Sequence, residues 1–338
     1  MELKTDAGGP PRCALATPEL GVCDCTELDL LTDVPNIYFV LDRSGSMNDG
    51  AKWQKTREVV VSTARRIGLR ASFGAAIFPG LLDGTGCDAG REVLSVRRGD
   101  DPPGSWGPTT LALAQATNLP AAGGTPTAAT LAALTPKLLG LAGRTFVVLA
   151  TDGGPNCNAA AACGASQCQL NIEGFCGPEN CCSPQAQGPL YCLDADPTLE
   201  AVTALATAGI RTFVVGMPGS AVYATLLDQL ATAGGTARAT SPRYYRVDST
   251  DGAALATTLS QVAARVVGTC TLPLGSEPDD ANRVNVFLDG QPVPRDPTDG
   301  WRVEGKTVEL LGATCARVLS GDVLNVRVVT GCPTLMPR

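Results

Sequence analysis

The sequence predicts an α/β protein built on a doubly wound, mostly parallel sheet, with a Cys-rich insertion and a small C-terminal β domain. Three observations carry this reading. Continuous apolar runs at 37–41, 145–150 and 212–215 suit strands buried on both faces, as parallel strands are. Segments with apolar residues at helical spacing lie between those runs. After Cys270 the pattern changes to apolar and polar residues in alternation, punctuated by Gly and Pro.

Residues 1–33 are rich in Gly, Pro and Cys (Cys13, Cys23, Cys25) and show no period, which predicts an irregular arm held by disulfides. The first buried strand starts near Asn36 and ends at Asp42. Residues 52–69 place Val59, Val60, Ala64 and Ile67 at helical spacing, and 72–78 returns to strand character until Pro79-Gly80 stops it. Helices are expected at 109–117 and 127–139, then the strand at 145–150. Further helices at 198–207 and 222–232 flank the strand at 212–215, before a last strand at 244–247 and a helix at 252–267. The α/β domain therefore spans 34–268, with the insertion at 153–196. The β-rich domain, 269–338, shows alternating Val284, Val286 and Leu288, a turn at Asp289-Gly290, and strands at 301–303, 308–310 and 323–328.

A chain of 338 residues exceeds what one hydrophobic core usually spans, which favours two domains. The net charge is −7 and no run of Lys or Arg could neutralise phosphates, so nucleic acid is not an expected partner. No stretch approaches the roughly 20 apolar residues of a transmembrane helix, and the start at Met1 lacks the apolar core of a signal peptide. Fourteen cysteines nonetheless point to an oxidising compartment. The expectation is an extracytoplasmic protein, secreted or anchored at the cell surface, whose targeting segment is absent from this sequence. There is no histidine, which removes the commonest general base and the commonest zinc-binding nitrogen.

The first buried strand runs directly into Asp42-Arg43-Ser44-Gly45-Ser46. In open α/β sheets, ligands gather beyond the carboxyl ends of the strands. Two further loops add oxygen donors: Gly123-Gly124-Thr125-Pro126-Thr127, and Thr151-Asp152-Gly153 after the strand at 145–150. Hard cations select oxygen ligands and commonly keep several waters, which suits a site of few carboxylates and several hydroxyls. Asp-x-Ser-x-Ser alone could equally be a turn or a helix cap. The return of Thr125 and Asp152 at the other loops gives the metal reading its weight.

In order and spacing, Asp42-x-Ser44-x-Ser46, Thr125 and Asp152 resemble the complete metal-ion-dependent adhesion site (MIDAS) of von Willebrand factor A (VWA) domains. The resemblance extends to 230–236 and 244–247, which look like the late helix, turn and last strand of that family, and so covers about 34–268. It implies that Ser44, Ser46 and Thr125 bind Mg²⁺ (or Mn²⁺ or Ca²⁺) directly while Asp42 and Asp152 act largely through water. It also implies an open coordination position for an Asp or Glu carboxylate presented by a protein partner: adhesion, without catalysis. The arrangement is similar to secreted or lipid-anchored bacterial VWA proteins. One departure is the insertion, whose seven cysteines (Cys157, Cys163, Cys168, Cys176, Cys181, Cys182, Cys192) fall beside the expected metal face.

Two other functions compete. A metal with open positions can activate water in a hydrolase, although no His, Glu or Lys in the motif loops offers an evident base. Alternatively, the domain is a structural part of a secreted assembly with a vestigial site. The cysteines lack paired C-x-x-C knuckles, which favours disulfides over zinc. Because seven is odd, one insertion cysteine must pair outside it, with Cys87 the nearest candidate. Three cysteines in the arm and three in the tail (Cys270, Cys315, Cys332) would balance through one arm-to-tail bridge plus local pairs. Asp279-Asp280 and Asp299-Gly300 read as β-turns. Gly123-Gly124-Thr125 lacks the Lys that a phosphate loop requires.

Overall fold

A computed structural model describes residues 12–17, 21–28, 34–80, 86–177, 179–320, 323 and 326–335. The chain divides into two compact units, one of Val34–Val262 and one of Met1–Asp33 with Ala263–Arg338. In chain order, β1 (Arg12–Thr17) and β2 (Gly21–Leu28) belong to the second of these.

The Val34–Val262 unit begins with β3 (Asn36–Asp42), α1 (Lys52–Ile67), β4 (Ser72–Phe78), β5 (Arg91–Arg98), α2 (Pro108–Ala116), α3 (Thr127–Leu139) and β6 (Thr145–Thr151). It continues through α4 (Gln169–Ile172), α5 (Ala195–Thr207), β7 (Arg211–Gly216), α6 (Ala224–Ala233), β8 (Tyr245–Arg246) and the start of α7 (Ala253–Val267). Six strands form one sheet in the order β5-β4-β3-β6-β7-β8. All neighbours are parallel except β5, which pairs antiparallel with β4 at the edge.

The apolar runs explain the centre of this sheet. Every residue of β3 and β6 is buried, so both sheet faces are covered. On one face Tyr38, Val40, Val147 and Leu149 pack with Leu131 and Leu134 of α3, Leu205 of α5 and Leu230 of α6. On the other, Phe39 and Phe73 stack with ring centres 6.4 Å apart. The chain lays β4 and β5 on one side of β3 and then crosses to the other side with β6. That reversal opens a crevice between the carboxyl ends of β3 and β6, where polar side chains can gather.

The second unit continues with β9 (Thr271–Pro273), β10 (Val284–Leu288), β11 (Gln291–Val293), β12 (Trp301–Glu304), β13 (Thr307–Leu310), α8 (Gly312–Ser320) and β14 (Val326–Thr330). It holds a five-stranded sheet, β1-β2-β14-β10-β11, and a three-stranded sheet, β12-β13-β9, all antiparallel. Its core gathers Leu272, Val286, Val308 and Trp301, whose indole N–H donates to Val293 O (3.0 Å).

The irregular arm is a correction. Residues 12–17 and 21–28 are strands, and β2 pairs with β14 some three hundred positions later, with Val328 opposite Leu28. A partner so distant leaves no local period to read. The rest of the predicted arm, residues 1–11, 18–20 and 29–33, lies outside the described residues, as do Leu324 and Asn325 of the predicted strand at 323–328. The sequence reading also passed over β5, a charged edge strand, and α8.

All fourteen cysteines are paired. Cys23–Cys332 links arm to tail, with Cys13–Cys25 and Cys270–Cys315 as local pairs. Cys87 is the partner of Cys157, leaving Cys163–Cys192, Cys168–Cys182 and Cys176–Cys181 inside the insertion. Among the described residues no helix is long and apolar enough to cross a membrane.

Candidate metal centre

Strand register brings the first two loops together. β3 and β6 run parallel with Leu41 opposite Ala150, so Asp42 and Thr151 emerge side by side at the sheet edge. The Thr151 hydroxyl donates to Asp42 Oδ2 (2.6 Å), and the Ser44 backbone N–H donates to Asp42 Oδ1 (2.7 Å). Asp42 is fully buried. Burial and the neighbouring Asp152 carboxylate push its carboxyl up to about 7, against the pull of those hydrogen bonds. Two carboxylates crowded at low dielectric are a place where positive charge is stabilised.

Ser44 and Ser46 turn their hydroxyls to the same side, with the two Oγ atoms 3.1 Å apart. The Ser46 hydroxyl donates to Asp152 Oδ1 (2.8 Å), spanning 106 positions of sequence. Ser44, Thr125 and Asp152 are buried, while Ser46 is exposed. Thr125 lines the same cavity as Ser46 and Asp152. The structure thus brings Asp42, Ser44, Ser46 and Asp152 into one hydrogen-bonded group and places Thr125 on the cavity that opens onto it.

Sequence reasoning missed the groups that hold these loops in place. The buried Arg43 guanidinium donates to Pro79 O (2.9 Å), Pro120 O (2.7 Å) and Gly80 O. Gly45 N–H donates to Gly123 O (2.8 Å), and Gly124 N–H to Gly86 O (2.8 Å). Gly123 has φ +87°, and a Cβ there would come within 2.5 Å of Gly86 O, so only glycine allows this approach.

Asn156, inside the insertion, grips Thr125 twice. Its Oδ1 accepts from the Thr125 N–H (2.7 Å), and its own N–H donates to Thr125 O (2.9 Å). Asn156 Nδ2 donates in turn to Gln169 Oε1 (2.9 Å), and Gln169 Nε2 donates to Gly154 O (2.6 Å). Lys52, the first residue of α1, is buried with its ammonium on Asp152 Oδ2 and on Pro218 O (3.1 Å). An Asn next to a cysteine and a Lys at a helix start carry no signal of such roles in the sequence.

The donors offered at this edge are hydroxyl and carboxylate oxygens, which fit a hard divalent cation and not zinc. Lys52 takes Asp152 Oδ2 and leaves Oδ1 to accept from the Ser46 hydroxyl. The sulfurs of Cys163, Cys182 and Cys192 lie close together, but each belongs to a disulfide and offers no thiolate.

No family model matches the sequence, and no curated protein does. Similarity appears among solved structures. The pilus adhesin SpaC from Lactobacillus rhamnosus GG aligns with 91% of this chain and 40% of its own at 16% identity and a TM-score of 0.53. Its open conformation gives 18% identity and 0.52 over the same shares. The vWF domain of the type V pili tip protein Mfa5 from Porphyromonas gingivalis aligns with 69% of this chain and 95% of its own, at 11% identity and a TM-score of 0.47. The chain shares its mixed α/β fold with SpaC while spanning well under half of that protein's length.

Proposed function

We propose that residues 34–262 form a doubly wound VWA-type module of an extracytoplasmic, surface-associated protein, and that it binds a protein partner through a divalent cation. Ser44, Ser46 and Thr125 would hold Mg²⁺, Mn²⁺ or Ca²⁺, with Asp42 and Asp152 acting through water. A cation held mainly by neutral hydroxyls supplies net positive charge to an incoming Asp or Glu carboxylate. The observation that carries this reading is the convergence of Ser44, Ser46 and Asp152 through hydrogen bonds of 3.1 and 2.8 Å, in front of the buried Asp42. The full set of disulfides supports the compartment, and SpaC offers a precedent for this fold in a pilus adhesin.

Calorimetric titration with Mg²⁺ tests the reading. Wild type is expected to bind and to melt at a higher temperature in Mg²⁺, whereas Asp42→Ala loses both responses. Identical titrations for the two proteins would overturn it.

One observation favours the structural reading. The Lys52 ammonium already neutralises Asp152, as an internal cation would. Removing one partner of a buried ion pair typically costs about 3–5 kcal/mol. Lys52→Met is expected to be destabilised by that order without Mg²⁺ and to recover part of it when Mg²⁺ is added. If wild type ignores Mg²⁺ and only Lys52→Met responds, the site is a structural remnant.

A further inference from the structure

The metal-site loops open onto a cavity of about 670 Å³ lined by two different chemistries. Ser46, Thr125 and Asp152 supply the polar part; Leu170, Phe175 and Tyr191 of the insertion supply an apolar part. Phe175 is 80% exposed and Tyr191 39%. A single exposed apolar residue is ordinary, but here Phe175, Tyr191 and Tyr223 share one cavity with Leu170, Leu190 and the candidate cation site. Phe175 is tied down: its N–H donates to Leu170 O (2.9 Å) and its neighbour Cys176 is bonded to Cys181. The ring is presented by a stapled loop, which lowers the ordering cost of using it as a contact.

Charge narrows the occupant. Asp49 and Glu173 also line the cavity, and Glu173 Oε1 accepts from the Tyr223 hydroxyl (2.7 Å). With a cation in place, one carboxylate is welcome at the ion, while a second would face Glu173 or Asp49. A run of acidic residues is therefore disfavoured, and an apolar neighbour has rings to cover.

We propose that the insertion makes this site selective for a peptide segment carrying one isolated Asp or Glu with a large apolar side chain beside it. Phe175, Leu170 and Tyr191 receive the apolar group. The proposal rests on the cation-dependent reading above.

The probe is a random linear peptide library displayed on phage, captured on the full chain in Mg²⁺ and eluted with EDTA. Eluted peptides are expected to carry a single acidic residue adjacent to Phe, Leu, Ile, Met or Trp. A synthetic peptide from that pool should bind wild type about tenfold more tightly than its version with the apolar residue changed to Gly. Phe175→Ser, which alters only an exposed ring and should melt as wild type does, is expected to bind both versions alike. Acidic peptides without an apolar preference, or a Phe175→Ser protein that still discriminates, would overturn the role of the insertion and leave the cation reading standing. No EDTA-eluted pool above the Asp42→Ala background would overturn this proposal, while the Mg²⁺ titration of wild type against Asp42→Ala decides the cation reading separately.

Discussion

The six-stranded sheet and the insertion at 153–196 lie in one compact unit and are held by opposite means. β3 and β6 bury every residue, and their stability comes from apolar packing against helices. The insertion contains the four-residue α4, short 3-10 turns and one isolated antiparallel backbone pairing of Cys168 with Cys192, and its own buried cluster is made of Cys168, Cys182 and Cys192. A deep, close-packed apolar sheet holds the polar groups at its edge in place. A segment that replaces its core with disulfides can present large side chains such as Phe175 without having to bury them elsewhere.

The sharpest way to test that difference is to weaken each side. Leu149→Ala in β6 empties a fully buried position and should cost about 2–5 kcal/mol, seen as a lower denaturant midpoint for loss of far-UV circular dichroism. Replacing Cys168 and Cys182 together by Ser removes a link spanning 14 positions and should cost a comparable ~3 kcal/mol, but only locally. Limited proteolysis should then cut within 153–196 while the denaturant midpoint of the sheet moves little. Equal global unfolding in both variants would mean that insertion and sheet fold as one cooperative body, and the contrast would fail.

Legibility in the sequence followed the same division. The buried strands were readable because a parallel sheet demands unbroken apolar runs, and Ile37 to Leu41 and Phe146 to Ala150 supply them. The meeting of Asp42, Ser44, Ser46 and Asp152 at one sheet edge was readable because their loops end neighbouring buried strands, and Thr125 precedes a helix beside the same cavity. β5 was not, since Arg91, Arg97 and Arg98 make an exposed edge look like a loop. Neither was β2, whose pairing with β14 depends on residues far along the chain, nor β1, which pairs with β2. The odd cysteine count did point to Cys87 as the partner outside the insertion, yet nothing local revealed that Cys157 takes it or what that disulfide sits beside.

What sits beside it is Asn156, and there the smallest of these effects carries the most information. Its Oδ1 is the acceptor for the buried Thr125 N–H. A buried N–H left without an acceptor costs roughly 1–3 kcal/mol, and whether the loop turns to relieve that cost or water from the adjoining cavity takes the N–H, the Thr125 hydroxyl loses the bond that fixes its loop. Asn156→Ala should therefore weaken Mg²⁺ binding about tenfold in a calorimetric titration, where 1.4 kcal/mol is one decade. Gln169→Ala, one step further out, should weaken it less, because Asn156 keeps its own bonds to Thr125. If Asn156→Ala binds Mg²⁺ as wild type does, the insertion stands beside the site without positioning it. The Arg43 guanidinium and the Gly86–Gly124 bond, both anchored outside the insertion, would then suffice to hold the Thr125 loop.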